Sequence, residues 1–354
     1  MDPVQMNATN TVKRNYPYNC WWVAAFSPEV GRNMLARWIL DTPVLLYRTE
    51  TGEAVALEDR CPHRLAPLSR GTLRGDEVEC GYHGFRFGPT GRCTRVPTMR
   101  APAPIAVESF PVKEVAPFVW VYLGDRNVVD QVPPPQELPW TTDTEFAVLS
   151  GSITIAANYM LLKENVLDLT HFGYVHVKTF GITDWTHPPE VTTDEDSVSY
   201  RQNFVRTPLP AGYAIALGLQ PGIIWSRETY GSFVSPALQI SSNDLFDPAK
   251  PDEPPMGRYR IAHATTPIDQ RRMHYFWVFG RDHGRSPSEM DALGNVVKQG
   301  FSEDQTILEA VQALADRSPR RGSSGERSVK ADAAGIYARR IVDRWMARET
   351  IPQE

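Results

Sequence analysis

A chain of 354 residues with a net charge of −5 has room for two domains and for a core large enough to need no covalent staples. The acidic balance (pI near 6.0), with no basic block standing out, argues against a nucleic-acid partner. Four cysteines are too few for a disulfide framework, and no run approaches the ~20 apolar residues of a membrane span. The polar stretch from Met1 to Asn15 lacks the apolar centre of a secretory signal, so the expectation is a soluble, cytoplasmic protein with no membrane contact.

In chain order, residues 17–125 are dense in short β-type runs and predict a small antiparallel domain. Thr42–Arg48 and Ala54–Glu58 flank Thr51-Gly52, a hairpin signal. Gly84–Phe87, followed by the turn Gly88-Pro-Thr-Gly91, predicts another hairpin, and Phe118–Tyr122 a buried strand. Val132-Pro-Pro-Pro-Gln-Glu-Leu-Pro139 can form neither a helix nor a central strand, which places the domain junction there and a second domain over 135–354. In that domain strands are predicted at Ser197–Val205, Gly231–Ser241, Arg258–Ala264 and Met273–Gly280. Proline-rich 247–255 and polar 316–328 read as loops. Helices are predicted over about Ala156–Phe172, from Ser286 towards Leu314 and over about Ala331–Arg348. Gly300 could interrupt the second, and Ser302–Gln305 offers another capping box.

Two constellations carry chemistry. Cys61-Pro-His63 is followed after sixteen residues by Cys80-Gly-Tyr-His83. Two thiolates and two imidazoles suit either one zinc or a [2Fe–2S] centre with Cys₂ on one iron and His₂ on the other. Because Cys and His alternate, each loop can send one ligand to each of two metal atoms, which a dinuclear centre needs and a single zinc does not. Cys20 and Cys93 remain as ordinary reduced thiols.

The second constellation is Asn165-Val-Leu-Asp168-Leu-Thr-His171-Phe-Gly-Tyr-Val-His176. On a helix Asp168 and His171 share a face, whereas His176 lies about 140° round from His171. Both imidazoles reach one ion if the helix breaks between them, and Gly173 is placed to break it. Two histidines and a carboxylate form the facial triad of non-haem Fe(II). Zinc hydrolases use a similar set, and two satisfied histidines at a helix end are the plain alternative.

Together these motifs resemble the Rieske non-haem iron oxygenases. Cys61-Pro-His-Arg64 and Cys80-Gly-Tyr-His-Gly84 are similar to that family's cluster motif. Asn165, Asp168, His171 and His176 match its iron motif, and Phe301-Ser-Glu303-Asp304-Gln resembles the segment bearing its third ligand. The resemblance implies an α+β chain: an all-β Rieske [2Fe–2S] domain, then a helix-grip catalytic domain whose antiparallel sheet surrounds the pocket. It implies a cluster on Cys61, His63, Cys80 and His83, and one Fe(II) on His171, His176 and Asp304, with Glu303 or Asp291 as rivals for the last place. The family assembles head to tail as homotrimers. Asp168 would there join His83 of one copy to His171 of the next, with Asn165 supporting the site from outside the ligand set.

Within the family the chain looks most like enzymes that demethylate aromatic methyl ethers, such as vanillate and dicamba O-demethylases. That implies a small aromatic substrate, O₂, and an NADH-dependent reductase with flavin and plant-type ferredoxin domains. His263 and, near it, Gln239 are the candidate substrate residues, and Trp225, Phe276 and Trp277 are candidate pocket aromatics. The alternatives are a ring-dihydroxylating dioxygenase, an N-demethylase or sulfonate oxidase, a Rieske electron carrier, and a zinc hydrolase.

Overall fold

The computed structural model describes residues 15–181, 188–250, 252–317 and 327–349. Its N-terminal part is all-β. Strands β1 (Trp21–Phe26), β2 (Leu35–Ile39), β3 (Thr42–Arg48) and β4 (Ala54–Glu58) precede the first Cys–His pair. Four short strands frame the second pair: β5 (Thr72–Arg74), β6 (Glu77–Glu79), β7 (Arg86–Phe87) and β8 (Cys93–Arg95). Then come β9 (Ser109–Phe110), β10 (Val112–Val115) and β11 (Phe118–Tyr122). They form three sheets, ordered β1-β11-β10, β2-β3-β4-β9 and β5-β6-β7-β8. The middle residues of β3 and all of β11 are buried on both faces, which explains their unbroken apolar sequences. The β3–β4 hairpin turns through Gly52 at φ +91°, a conformation that suits glycine.

After Asp125 the chain makes a 3₁₀ turn over Arg126–Gln131, and residues 133–138 carry no regular structure, as their prolines dictate. The C-terminal part is built on one seven-stranded antiparallel sheet. Its strands are β12 (Ala147–Ile155), β13 (Glu190–Thr193), β14 (Val198–Pro208), β15 (Ile224–Ser235), β16 (Leu238–Phe246), β17 (Gly257–Asp269) and β18 (Arg272–Arg281), in the order β12-β18-β17-β16-β15-β14-β13. Helices α1 (Tyr159–Leu167), α3 (Pro287–Arg317) and α4 (Ala333–Arg348) pack together against this sheet, and the short α2 (Ala211–Ala216) joins β14 to β15. The α+β expectation with a sheet gripping helices holds.

Several local expectations change. The run Gly231–Ser241 is not one strand: it spans the end of β15, a turn at Pro236-Ala237 and the start of β16. Helix α3 passes through Gly300 without a break. A Cβ at Gly300 would come within 2.3 Å of the Phe180 ring, so the missing side chain is where an aromatic seats rather than where the helix stops. The capping box at Ser302 is not used, because Ser302 lies mid-helix. Of the predicted loop 316–328, Asp316 and Arg317 belong to α3 and residues 318–326 fall outside the described residues.

The two parts share one core. Thr266 Oγ1 donates to the Val23 carbonyl (2.7 Å), and the Leu40 N–H donates to the Pro267 carbonyl (2.8 Å). The Phe26 and Phe118 rings pack on Phe276, which explains why Phe276 faces the N-terminal domain and not a pocket. A second apolar cluster, including Tyr47, Leu57, Val78 and Phe87, lies under the Cys–His loops.

Candidate metal centres

The two Cys–His loops are built alike. The Cys61 N–H donates to the Ala66 carbonyl (2.9 Å) and Leu65 N–H to the Cys61 carbonyl (2.8 Å). The Cys80 N–H donates to Phe85 (2.8 Å) and Gly84 N–H to Cys80 (3.0 Å). Each loop turns through a positive φ at the fourth position after its cysteine, Leu65 at 60° and Gly84 at 69°. Two copies of one turn thus present Cys61 and His63 beside Cys80 and His83. Both thiols are buried, the two imidazole centroids lie 4.6 Å apart, and His63 stacks on Phe85. His63 Nδ1 is shielded and has no hydrogen-bond partner among the described residues. Burial, helped by the neighbouring Cys80 thiol, pushes Cys61 up to about 11. Two adjoining buried thiols, one of which resists ionisation, with an orphaned imidazole nitrogen beside them, suit a thiophilic metal group that would compensate the thiolates.

The second constellation forms where α1 ends. Asn158 caps α1, its side chain accepting from Met160 N–H, and the helix stops at Asp168, whose φ/ψ of −110°/96° are extended. The expected break at Gly173 is therefore preceded by an earlier one. Residues Leu169–Gly173 form a separate 3₁₀ turn, and Asp168 and His171 do not share an α-helical face. Asp168 caps that turn: its Oδ1 accepts from Thr170 N–H (2.9 Å) and Thr170 Oγ1 (2.6 Å). Its backbone carbonyl, not its carboxylate, takes the hydrogen bond from His171 Nδ1.

Across the site α3 brings two acids. Asp304 Oδ1 lies 3.5 Å from His171 Nε2, 3.3 Å from His176 Nε2 and 3.0 Å from Asn165 Nδ2, which donates to it. Glu303 sits behind His176 and accepts from its Nδ1 (3.0 Å), from Thr179 Oγ1 (2.7 Å) and from Gln299 Nε2 (3.3 Å). The rival Glu303 thus supports a histidine and does not converge with it, and Asp291 is an exposed residue on the first turns of α3.

These bonds fix the tautomers. Each histidine spends its Nδ1–H outwards, on the Asp168 carbonyl or on Glu303, so both Nε2 atoms point inward as lone pairs, 3.2 Å apart. Two facing lone pairs beside a buried carboxylate repel unless a cation lies between them. His171, His176 and Asp304 bring their ligand atoms within 4.8 Å of one another, so a divalent ion fits on both charge and geometry. Burial pulls the His171 pKa down. For His176 the hydrogen bonds and charge of Asp304 and Glu303 outweigh the same burial and raise it.

The triad opens into a cavity between the helices and the sheet. Phe172, Phe180, Phe279 and Phe301 give it apolar walls, while Thr229, Ser241, Asn243 and His263 line its sheet side. His263 is therefore in the pocket, and Gln239 is not. Strand periodicity puts Gln239, Ser241 and Asn243 on one face of β16, but α1 covers the Gln239 end, where its amide donates to the Lys163 carbonyl (2.8 Å). Trp225 and Trp277 are absent from the lining as well; Trp277 packs on Phe301 from behind. The strand expected from the sequence ended at Ser241, two residues short of Asn243, so its two-residue period was not carried on to that side chain.

Comparison with known proteins decides the family. The model for the Rieske [2Fe–2S] domain matches residues 20–113, and that for the vanillate O-demethylase oxygenase C-terminal domain matches residues 155–348. This chain belongs to the vanillate O-demethylase family of Rieske non-haem iron monooxygenases. Its family relatives include a vanillate O-demethylase oxygenase subunit of Pseudomonas sp. (strain HR199 / DSM 7063), 30% identical, with 94% of this chain and 96% of the relative covered. A toluene-4-sulfonate monooxygenase system iron–sulfur subunit of Comamonas testosteroni is also 30% identical, over 94% and 97%. The crystal structure of dicamba monooxygenase bound to dicamba superposes with a TM-score of 0.84 at 27% identity, covering 93% of this chain and 97% of that one. As an oxygenase component of this family, the chain carries a Rieske cluster and a mononuclear non-haem iron. No helix among the described residues is long and apolar enough to cross a membrane.

Proposed function

We propose that this oxygenase cleaves the methyl ether of an aromatic substrate bearing an anionic or strongly accepting ring substituent, such as a methoxylated benzoate. The observation that carries this reading is the polarity of the cavity's sheet wall. Arg227 Nε donates to Thr229 Oγ1 (3.3 Å), so the Thr229 hydrogen goes to Asn243 Oδ1 (2.6 Å), and Asn243 is left with its NH₂ as a donor. His263 bonds Tyr275 through Nδ1 (2.8 Å) and is held neutral by burial, which pulls it down to about 3. Asn243 and His263 would orient the acceptor group, and the phenylalanines would hold the ring and exclude water.

In this reading Cys61, His63, Cys80 and His83 hold the cluster, and His171, His176 and Asp304 hold the iron. When bound, these groups store an electron and activate O₂. One oxygen atom enters the methyl group and the other leaves as water, consuming two electrons and two protons. The hemiacetal collapses to a phenol and formaldehyde. Asn165 would steady Asp304, and Asp168 would offer its carboxylate to His83 of the partner subunit in a homotrimer. Support for that role is an open recess beside it, lined by Glu164, Asn165, Asp168, His171, Asp332 and Arg339. The electrons would come from a separate NADH-dependent reductase with flavin and plant-type ferredoxin domains, and the enzyme would work in the cytoplasm.

Formaldehyde release is the test. With a matched reductase, methoxybenzoates should yield phenol and formaldehyde, whereas the corresponding neutral anisoles should react far less well; equal rates would refute the donor-wall reading. The toluene-4-sulfonate relative favours a second reading, oxidation of a ring methyl on an arene sulfonate. The same wall would take the sulfonate, and the product would be an alcohol with no formaldehyde.

A further inference from the structure

A second chamber adjoins the iron cavity. Phe180, Tyr213 and Phe279 line both, so these three rings form the partition between them. The outer chamber lies between α2 and the first turns of α3, with Ile215 and Leu293 as apolar walls and Tyr259 and Arg281 reaching it from the sheet. Ile215 and Ala292 are exposed at its mouth. It shares no lining residue with the recess beside Asp168.

A buried polar row leads from one chamber to the other. Antiparallel register sets Thr229 opposite Asn243, Asn243 opposite Tyr259, and Tyr259 opposite Arg281. The row therefore starts at the donor wall of the iron cavity and ends in the outer chamber. Arg281 is only 2% exposed, and it forms no ion pair among the described residues. Asp282 is taken by Arg258 (3.2 Å) and His283 (3.1 Å), and Glu289, at the mouth, accepts from the Ser286 N–H (3.1 Å). Arg281 Nη2 donates to the Gly284 carbonyl, whereas its Nε has no hydrogen-bond partner among the described residues. The Tyr259 hydroxyl beside it also meets His283 Nε2 (3.1 Å). A buried cation without a counter-charge is costly, and an anion bound next to it lowers that cost. Apolar and aromatic walls around one such guanidinium suit an aromatic carboxylate.

We propose that the outer chamber is a second binding site for an aromatic carboxylate, an entry subsite that holds the substrate before it passes Phe180, Tyr213 and Phe279 into the iron cavity. The proposal deepens the oxygenase reading and rests on its choice of an aromatic acid as substrate. An entry role is favoured over an unrelated ligand because the two chambers share those three rings and because the polar row runs from Arg281 to Asn243. A carboxylate entering an apolar passage loses its water, and Arg281 stands where that loss begins.

The test uses the full-length enzyme with both metal groups in place, without reductase so that nothing turns over, and 3-methoxybenzoate as the probe in isothermal titration. Wild type should take up two equivalents per chain. Arg281→Met should bind one of them at least about tenfold more weakly, and so should Ala292→Trp, which fills the mouth without touching the guanidinium. Arg281→Lys keeps the charge and should lose less. Asn243→Leu should weaken the other equivalent and spare the one that depends on Arg281. Neutral 3-methoxybenzamide should leave the outer site empty. Cluster absorption and Tm near wild type would show that the variants are folded, and Ala292→Trp carries the test if Arg281→Met is not. In turnover with a matched reductase, Arg281→Met should cut kcat/KM for the methoxybenzoate roughly tenfold, chiefly through KM. Titrations of Arg281→Met and Ala292→Trp that match wild type would overturn the proposal. So would loss of both equivalents together in Asn243→Leu, which would mean a single site. Binding that depends on Arg281 in an enzyme that releases no formaldehyde would refute the demethylase reading and leave the outer site standing.

Discussion

Glu303→Ala separates a supporting carboxylate from a ligand. Glu303 accepts from His176 Nδ1 at 3.0 Å, is itself anchored by Thr179 and Gln299, and keeps the His176 Nε2 lone pair aimed at the site. A hydrogen bond to a charged partner contributes about 1.5–3 kcal/mol. Loss of such a carboxylate behind a metal-bound histidine typically weakens metal binding by about 10–100-fold. The side chain of Glu303 is one-fifth exposed, so water takes up part of the vacancy and the lower half of that range is expected. Glu303→Gln retains an acceptor for the Nδ1–H and should lose less than tenfold, by about threefold. The assay is chelator competition for the mononuclear ion, with the visible absorption of the cluster as an internal control. If Glu303→Ala bound the ion as tightly as wild type, Glu303 would not be what holds the His176 tautomer. If Glu303→Ala lost the ion outright while Asp304→Ala kept it, the two acids would have to exchange roles.

Asn243→Leu, nearly isosteric but without donors, should raise KM for a methoxybenzoate by about 5–100-fold, the cost of an unanswered anionic group, and leave iron content unchanged. Gly300→Ala sets two effects in opposition. Helix propensity gains about 1 kcal/mol, but the added Cβ overlaps the Phe180 ring at 2.3 Å and drives it towards the cavity that it lines. Little net change in Tm is expected, together with a preference for smaller substrates; an unchanged substrate range would show that the ring relaxes elsewhere. His274 is pulled down to about 4 by burial and by Arg37. An unfolded histidine titrates near ~6.5. The folded protein should thus lose stability as pH falls from that value through the folded pKa, by at most about 3 kcal/mol. His274→Gln should flatten denaturation midpoints across that window, and an unaltered slope would exclude His274 as a source of acid lability.

How much of this was legible in the sequence follows from the range of the interactions. The Cys61–His83 spacing was readable because each loop is closed by its own backbone hydrogen bonds, within five residues. Asp304 was readable only through the resemblance, since nothing local shows that α3 crosses beneath α1 to bring Asp304 within 3.0 Å of Asn165. Glu303 and Asp304, adjacent in sequence, look equivalent there; their roles part only because helical geometry sends one behind His176 and the other between the two imidazoles. Gln239 and Asn243 were indistinguishable for a similar reason. Both lie on one strand face, and the position of α1 decides which reaches the cavity. Net charge failed differently. A total of −5 conceals a +5 segment at the Cys–His loops, because the sum over the chain discards position.

The way the two domains meet bears on the path of electrons. The contacts between them run through β1 and β2 on one side and β17 on the other, with Thr266, Leu40 and Phe276 in a continuous core. The sheet β5-β6-β7-β8 that frames the second Cys–His loop stands on the separate apolar cluster and has no comparable packing against the catalytic sheet among the described residues. A continuous core resists hinge motion, so the loops are not poised to swing towards the triad of their own chain. Delivery from the cluster of one copy to the iron of another needs no such motion, and it calls for a carboxylate at a surface recess beside His171, which is where Asp168 lies. Mixing a cluster-deficient Cys61→Ser protein with a triad-deficient His171→Ala protein tests this directly. Activity regained on subunit exchange is the expected result. Two inactive parents giving an inactive mixture, despite exchange shown by mass, would place both centres of a productive pair in one chain.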